Sequence, residues 1–329
     1  MRKAGKATSR LEMQGLVTRV TDAGFVVWII VGVVVVTSGV QSSLFLTDRN
    51  VGNLFGQLVP LGLVTVGQTF AVLAGSIDLS VGATAKLSAL LTAGLIDGQP
   101  GRVVPVILLV IAIGAAIGVG NGLLINRLRV SPFIVTLGTW SVLTGFALGY
   151  SVTPVGSIPS GMVDLAFTRV GPFPVPFLVF VGFATAAGWV LRATVFGRHI
   201  YAVGGDPKVA RRGGIVEKGV MMRVMVVCSV FAALAGIMQA TRAGVGVPTA
   251  GDGLELASIT AVVVGGVSIF GGRGRLLGAI GGAFLLGLIG NSLNILGVSS
   301  VSTGLVRALV ILAAIAIFTK KEQLWSVAA

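Results

Sequence analysis

Between positions 192 and 223 the chain carries Arg192, Arg198, Lys208, Arg211, Arg212, Lys218 and Arg223, opposed only by Asp206 and Glu217 and interrupted by several glycines. Cations at that density read as a surface that meets another by charge and hydrogen bonding rather than as a catalytic pocket. Other residues capable of chemistry are sparse. The single Cys228 excludes an internal disulfide, and the single His199 leaves no cluster for a transition metal. Asp78, followed by Ser80 within Gly75-Ser76-Ile77-Asp78-Leu79-Ser80-Val81-Gly82, and Glu255 are the acids beside long apolar runs. A membrane enzyme would need convergent acid, base, nucleophile or metal ligands, so that reading is remote. No Gly-x-x-x-x-Gly-Lys-Ser/Thr loop occurs, so nucleotide hydrolysis is not expected of this polypeptide.

The elements that position these residues must lie in lipid. Hydrophobic residues make up 54% of the 329, charged residues only 11%, and the mean hydropathy is +0.99, against roughly 45–50% apolar and 25% charged in soluble domains. An all-α polytopic membrane protein follows. The 49 glycines predict helices in close approach, since packing and not water exclusion drives association in lipid. A net charge of +13 would suit nucleic acid only if gathered on one soluble face. Here the cations lie in short loops between apolar runs, so no nucleic-acid partner is expected.

About ten runs are long enough to cross or nearly cross the hydrocarbon: 25–46, 53–74, 80–95, 103–125, 131–150, 173–191, 219–240, 255–270, 275–296 and 302–318. Those at 80–95, 255–270 and 302–318 fall short of the usual ~20 residues, which predicts tilted, half-length or re-entrant segments. The polar, basic stretch 1–22 reads as a cytoplasmic segment and not as a signal peptide. With the N-terminus inside, every Lys and Arg except Arg49, Arg102, Arg169, Arg242, Lys86 and Arg307 falls in a cytoplasmic segment, as the positive-inside rule requires. The expected layout is a cytoplasmic segment 1–22, a membrane domain 23–319 containing a cytoplasmic loop 192–223, and a cytoplasmic tail 320–329.

Residues 151–172, with Pro154, Pro159 and Pro172, form the longest external connection, which either lines an outer mouth or meets an external partner, or else simply covers the bundle. Residues 75–82 and 265–272 are glycine-rich interruptions of similar texture, which is compatible with an internal duplication. Non-helical backbone at membrane depth must be satisfied by protein or a wet cavity, so the first break should not face lipid. Ser80 is placed as the N-cap of the following helix, and Asp78 is read by preference as a capping residue over a direct solute contact. Lys86 in the helix interior must snorkel, face a wet cavity or pair, with Asp78 eight residues away as the candidate partner. The apolar Phe196, Ile200, Tyr201, Val203 and Val209 within the basic loop predict short helices packed against another protein.

Three motifs in order carry a resemblance: residues 75–82, residues 197–204 (Gly-Arg-His-Ile-Tyr-Ala-Val-Gly), and Leu254-Glu255-Leu256 through Val264-Gly265-Gly266-Val267-Ser268 to Gly271-Gly272-Arg273-Gly274. From about position 53 to 318 the chain closely resembles the permease subunits of bacterial ribose/galactose/xylose-type sugar importers of the ATP-binding-cassette class. It departs from them at Ser76, Leu254, Lys86, Asp206-Pro207 and Arg211-Arg212.

The resemblance implies a sugar-permease fold with broken helices, a pair of permease subunits around one path for a monosaccharide or polyol, and alternating access between its two sides. A homodimer is favoured over a heterodimer. A cytoplasmic ATPase would carry ATP and Mg, no cofactor being expected on this chain, and an external binding protein would deliver the sugar. By position, the coupling region includes Gly197, Arg198, His199, Tyr201, Gly204, Asp206, Ala210, Arg211 and Arg212. Asp78 and Ser80 fall in the signature break near the path. Gln57, Gln68, Asn121, Asn126, Gln239, Asn291 and Asn294 are candidate lining, because a neutral polyol needs hydrogen bonds and not a counter-charge, and Glu255 joins them. The alternative is a secondary transporter coupled to an ion gradient, which would use Asp78 and Glu255 as its membrane acids.

Overall fold

The computed structural model describes residues 23–298 and Leu309. Helices α1 (Ala23–Gln41), α2 (Asp48–Leu73), α3 (Val81–Ile96), α4 (Val103–Leu128), α5 (Pro132–Tyr150), α6 (Ser160–Phe167), α7 (Val175–Ala193), α8 (Val195–Gly205), α9 (Pro207–Arg212), α10 (Glu217–Ala243), α11 (Leu254–Val264) and α12 (Leu276–Ile295) follow one another, with a two-residue antiparallel pair, β1 (Arg169–Val170) and β2 (Phe173–Pro174), before α7. Nine of the expected spans are thus present as α1–α5, α7 and α10–α12. The span expected at 302–318, with Arg307, and the segments 1–22 and 320–329 lie outside the described residues.

Among the described residues, seven helices are long and apolar enough to cross a membrane, and α3 and α11 are shorter apolar helices. At 1.5 Å per residue, the 11 residues of α11 reach about 16 Å, roughly half of the ~30 Å hydrocarbon core. The run expected to continue to 270 stops at Gly265 because α12 crosses there: a Cβ on Gly265 would collide with the Gly278 carbonyl.

Burial sorts the helices into two shells. Of the apolar window in α2, 89% is buried, and in α10 67%, against 17% in α1 and α5 and 22% in α4 and α7. Within the bundle α10 packs against both α2 and α3, while α4 closes on α10 and α12 joins α1, α2 and α11. Close approach rests on small residues: Gly114, Gly118 and Gly122 lie along one face of α4 against α10, and a Cβ on Gly118 would press on the Val226 main chain. This is the small-residue spacing by which membrane helices bring their backbones together.

Residues 151–172 fold onto the bundle as a cover. Val155 bridges Gly246, Ile158 N donates to Gly244 O at 2.9 Å, and Gly98 N donates to Ser157 O at 2.9 Å. Arg169 Nη1 ties the cover to the start of α2 by donating to Asp48 O at 2.7 Å.

The three motif segments, far apart in sequence, converge at the end of the bundle that bears α8 and α9, here termed the elbow end. Gly272 N donates to Leu73 O at 2.9 Å, and Tyr201 Oη donates to Gly274 O at 3.0 Å. Gly75, Gly271 and Gly272 adopt φ of 77°, 90° and 68°, the left-handed region that glycine enters at little cost. Gly204 must also lack a side chain, since a Cβ there would overlap the Leu73 carbonyl and stand 2.7 Å from Gly272 N. By contrast, a Cβ on Gly205 meets nothing within 4 Å. Gly204→Ala should therefore cost about 1–3 kcal/mol through overpacking, read as a lower thermal midpoint in detergent, while Gly205→Ala should stay close to the parent. Equal midpoints for the two variants would contradict the packing described.

Candidate functional site

Two polar clusters sit inside the apolar bundle. The first is built on the break between α2 and α3, where Asp78 and Ser80 are completely buried. Asp78 Oδ1 accepts from Ser80 N at 2.8 Å and from Ser80 Oγ at 2.6 Å. Ser80 stands at the N-cap position but makes no side-chain capping bond: its hydroxyl turns back to Asp78, so the expected capping role is not what the hydroxyl does. The order in the turn comes from Asp78 accepting two bonds two residues ahead, a local motif open to aspartate. Asp78 Oδ2 has no hydrogen-bond partner among the described residues.

The network extends to α4 and α5. Asn121 Nδ2 donates to Ser80 Oγ at 3.0 Å, and Thr139 Oγ1 donates to Asn121 Oδ1 at 2.6 Å. Thr136 Oγ1 accepts from Leu79 N at 3.1 Å. On the α2 side, the Gln68 amide spans the Asp78 main chain, donating to its carbonyl at 3.1 Å and accepting from its N–H at 3.2 Å. Gln68, Asp78, Ser80 and Asn121 are therefore one unit, and the two threonines that complete it carried no signal in sequence because each lies on an ordinary apolar helix.

The second cluster corrects the expected partner of Lys86. Its Nζ lies 2.5 Å from Asp252 Oδ1, not on Asp78. The reason is the path of residues 244–253: Gly246 packs against Leu90 and Ala89, and Gly251 against Gly82 O and the Lys86 N–H. This loop therefore runs down α3 to its first turns before α11 begins. Gly253, at φ 79°, starts that half-length helix, and Glu255 follows, with Oε2 packed against Gly82 and without a hydrogen-bond partner. Lys86 is buried, while the Asp252 side chain is 54% exposed. The cluster thus has one open side, which can offer charged donors and acceptors to a hydroxylated solute. Asp252 escaped the sequence reading because a glycine-rich loop gives no sign that it turns inward.

The remaining lining candidates do not join these clusters. Asn291 and Asn50 exchange amide bonds at 3.1 and 3.0 Å between α12 and α2, a cross-link of the kind polar side chains form between membrane helices. Asn294 and Gln57 are exposed. Asn126 Nδ2 donates to Lys218 O at 2.9 Å, fastening α4 to the elbow. Gln239 Oε1 is buried without a partner.

At the elbow, α8 is amphipathic: Gly197, Ile200, Val203 and Gly204 are buried at the i, i+3, i+4 spacing, while Arg198 is exposed and His199 half-buried. Phe196 lies against Phe70 of α2 and beneath Arg223, whose guanidinium carbon is 5.3 Å from the ring centroid. The apolar residues expected to meet another protein are thus mostly consumed by this chain's own bundle. Val209 alone among them stays exposed, at 60%. Asp206 caps α9 by accepting from Lys208 N at 2.7 Å and Val209 N at 3.1 Å, and Ala210 is buried beneath it. Arg211 pairs with Glu217 at 2.8 Å, and Arg212 is exposed. Beside these helices a cleft of about 980 Å³ opens toward the α4–α5 turn, with Arg129, Arg211 and Lys218 on its rim. Burial raises the Tyr201 hydroxyl above its ordinary pKa, against the opposing pull of Arg192 and Arg275, so it remains a proton donor to Gly274.

A multi-pass bundle with paired polar clusters, glycine breaks and a basic elbow has the build of a transport permease. Residues 50–315 match the family of permease components of branched-chain amino acid transport systems, and the chain belongs to that family. It is 38% identical to the ribose import permease of Escherichia coli (strain K12) over 283 residues, covering 84% of this chain and 88% of the relative. Identity with the ribose import permease of Bacillus subtilis (strain 168) is 40%, covering 88% and 91%. With the galactose/methyl galactoside import permease of E. coli (strain K12) it is 31%, covering 95% and 98%. No solved structure matches the chain.

Lys86→Met should leave Asp252 without its cation and loosen the loop on α3, measured as a fall in thermal midpoint. Adding Asp252→Asn should recover most of that loss. A single variant as stable as the parent would mean that the pair does not hold the loop on α3.

Proposed function

We propose that this chain is the membrane-spanning subunit of an ATP-powered importer, providing the path for a monosaccharide or related polyol. The observation that carries the reading is the glycine junction at the elbow end, where α8 rests directly on the main chain of both membrane breaks. A displacement of α8 must then move residues 73–75 and 271–274, and through them the two polar clusters. Relatives named as ribose, galactose, fructose and allose import permeases support a sugar as the solute.

In this account two copies of the chain enclose the path, and the elbow faces the cytoplasm together with both termini. The cleft beside α8 and α9 receives a separate ATPase that carries ATP and Mg, since the chain has no phosphate-binding glycine loop. An external binding protein delivers sugar at the face covered by residues 151–172. The buried Gln68–Asp78–Ser80–Asn121 unit holds the first break in shape. The open side of Lys86, Asp252 and Glu255 offers hydrogen bonds that a sugar could exchange for those of water. Closure of the ATPase pushes the elbow and opens the opposite face, giving alternating access.

Arg198 and Arg212 are the exposed cations for testing the docking surface, because Arg211 is already engaged by Glu217. Arg198→Glu with Arg212→Glu should lower recovery of the co-expressed ATPase with tagged permease at least tenfold, with permease insertion unchanged. Equal recovery would overturn the docking role. In a separate sugar-uptake assay Asp78→Asn, which keeps an acceptor for Ser80, should leave uptake within about twofold of the parent, because Asp78 has a structural task. Loss of uptake with normal folding would instead make its charge part of transport.

A further inference from the structure

Residues 244–253, which join α10 to the half-length α11, form a strap that starts at the cover and runs inward along α3. Its two ends are held differently. At the near end Gly246 and Val155 exchange main-chain hydrogen bonds of 3.0 and 2.9 Å, and Ile158 N donates to Gly244 O at 2.9 Å. The cover is in turn fixed to the end of α3, where Gly98 N donates to Ser157 O at 2.9 Å and a Cβ on Gly156 would collide with the Ala93 carbonyl. Among the described residues no main-chain hydrogen bond joins the strap to α3. The far end rests on the α3 backbone by contact, Gly251 against Gly82 O, and the one polar tie there is the Lys86–Asp252 ion pair.

Backbone and depth mark the far end as the part that can move. Hinges are short stretches at element ends that absorb a change of dihedral angle. Gly244, Gly251 and Gly253, at φ of 72°, 85° and 79°, place such positions at both ends of the strap. The 11 residues of α11 put Asp252 about 16 Å from the second membrane break, near the middle of a ~30 Å hydrocarbon core. A carboxylate at that depth must be paired or wet, and this one is both, bonded to Lys86 on one side and 54% exposed. Its open side therefore faces water and not lipid. An ion pair with one wet partner suits a releasable contact, because water entering beside Asp252 can solvate the charges as they part, whereas a fully buried pair resists separation.

We propose that the strap is the outer gate of the path and that the Lys86–Asp252 pair is the latch that holds it shut. Residues 247–253 swing off α3 while 244–246 stay on the cover. Release uncovers the first turns of α3 and α11 from the outer side, and it turns toward the solute two charges that had held each other. The inference rests on the proposed reading of the covered face as the outer one, and on no particular sugar.

The test is thiol accessibility at Ser258, which lies three residues beyond Glu255 on α11 and has no exposed surface. Full-length permease carrying Ser258→Cys is placed in sealed membrane vesicles of right-side-out and, separately, inverted orientation. A charged, membrane-impermeant methanethiosulfonate is added outside, and modification of position 258 and of the buried Cys228 is followed separately by peptide mass spectrometry. In right-side-out vesicles position 258 should react slowly, and at least tenfold faster once Lys86→Met and Asp252→Asn are added, with Cys228 unchanged. Asp252→Asn alone, a change at a half-exposed side chain, should accelerate the reaction as well, whereas Lys86→Arg, which keeps the charge, should not. A smaller acceleration in the neutral pair, an equal acceleration at Cys228, or faster reaction only in inverted vesicles would overturn the gate. Neither sugar nor ATPase takes part, so the result is independent of the solute and of the docking partner.

Discussion

The arrangement depends on backbone touching backbone where Gly204 meets Leu73 and Gly272. Side-chain packing can yield to a push, because rotamers readjust. Main chain pressed on main chain, with a hydrogen bond from Gly272 to Leu73, has no such slack. The last turn of α2, the end of α8 and the loop before α12 therefore move together or not at all. Glycine is needed at positions 204 and 272 for one reason, the absence of a Cβ at a contact that leaves no room for it.

Lipid explains the economy of the polar groups. A charge at membrane depth must be paired or wet, and Lys86 is matched to Asp252 on a loop that turns inward to reach it. The break between α2 and α3 carries main-chain groups with no helix to satisfy them. Asp78, Gln68 and Thr136 supply the missing bonds. In the Lys86 cluster the Asp252 side chain, 54% exposed, is the group most open to a solute.

Hydropathy made the helices and their breaks legible, because the length of an apolar run is dictated by the bilayer. Charge in the loops gave a consistent orientation for the same reason. The partners of polar residues were hidden. Asn50 with Asn291, Thr139 with Asn121 and Lys86 with Asp252 are joined by helix packing, which periodicity does not encode. Helical spacing suggested Asp78 for Lys86, but residue 78 lies in the break before α3 and so shares no helical face with it. The aromatics of the elbow were expected to meet a partner, and α2 and Arg223 take up Phe196 instead. What the elbow leaves for another protein is its exposed cations, Val209 and the adjoining cleft.

A bundle with no phosphate-binding loop and a mechanically tied elbow should conduct only when driven from outside itself. The most direct measurement is accumulation of labelled sugar in sealed vesicles holding either the purified chain alone or the chain with its ATPase, binding protein and ATP. The account predicts concentration of solute above the external level only in the complete assembly. Uphill accumulation by the chain alone, with or without an ion gradient, would contradict it.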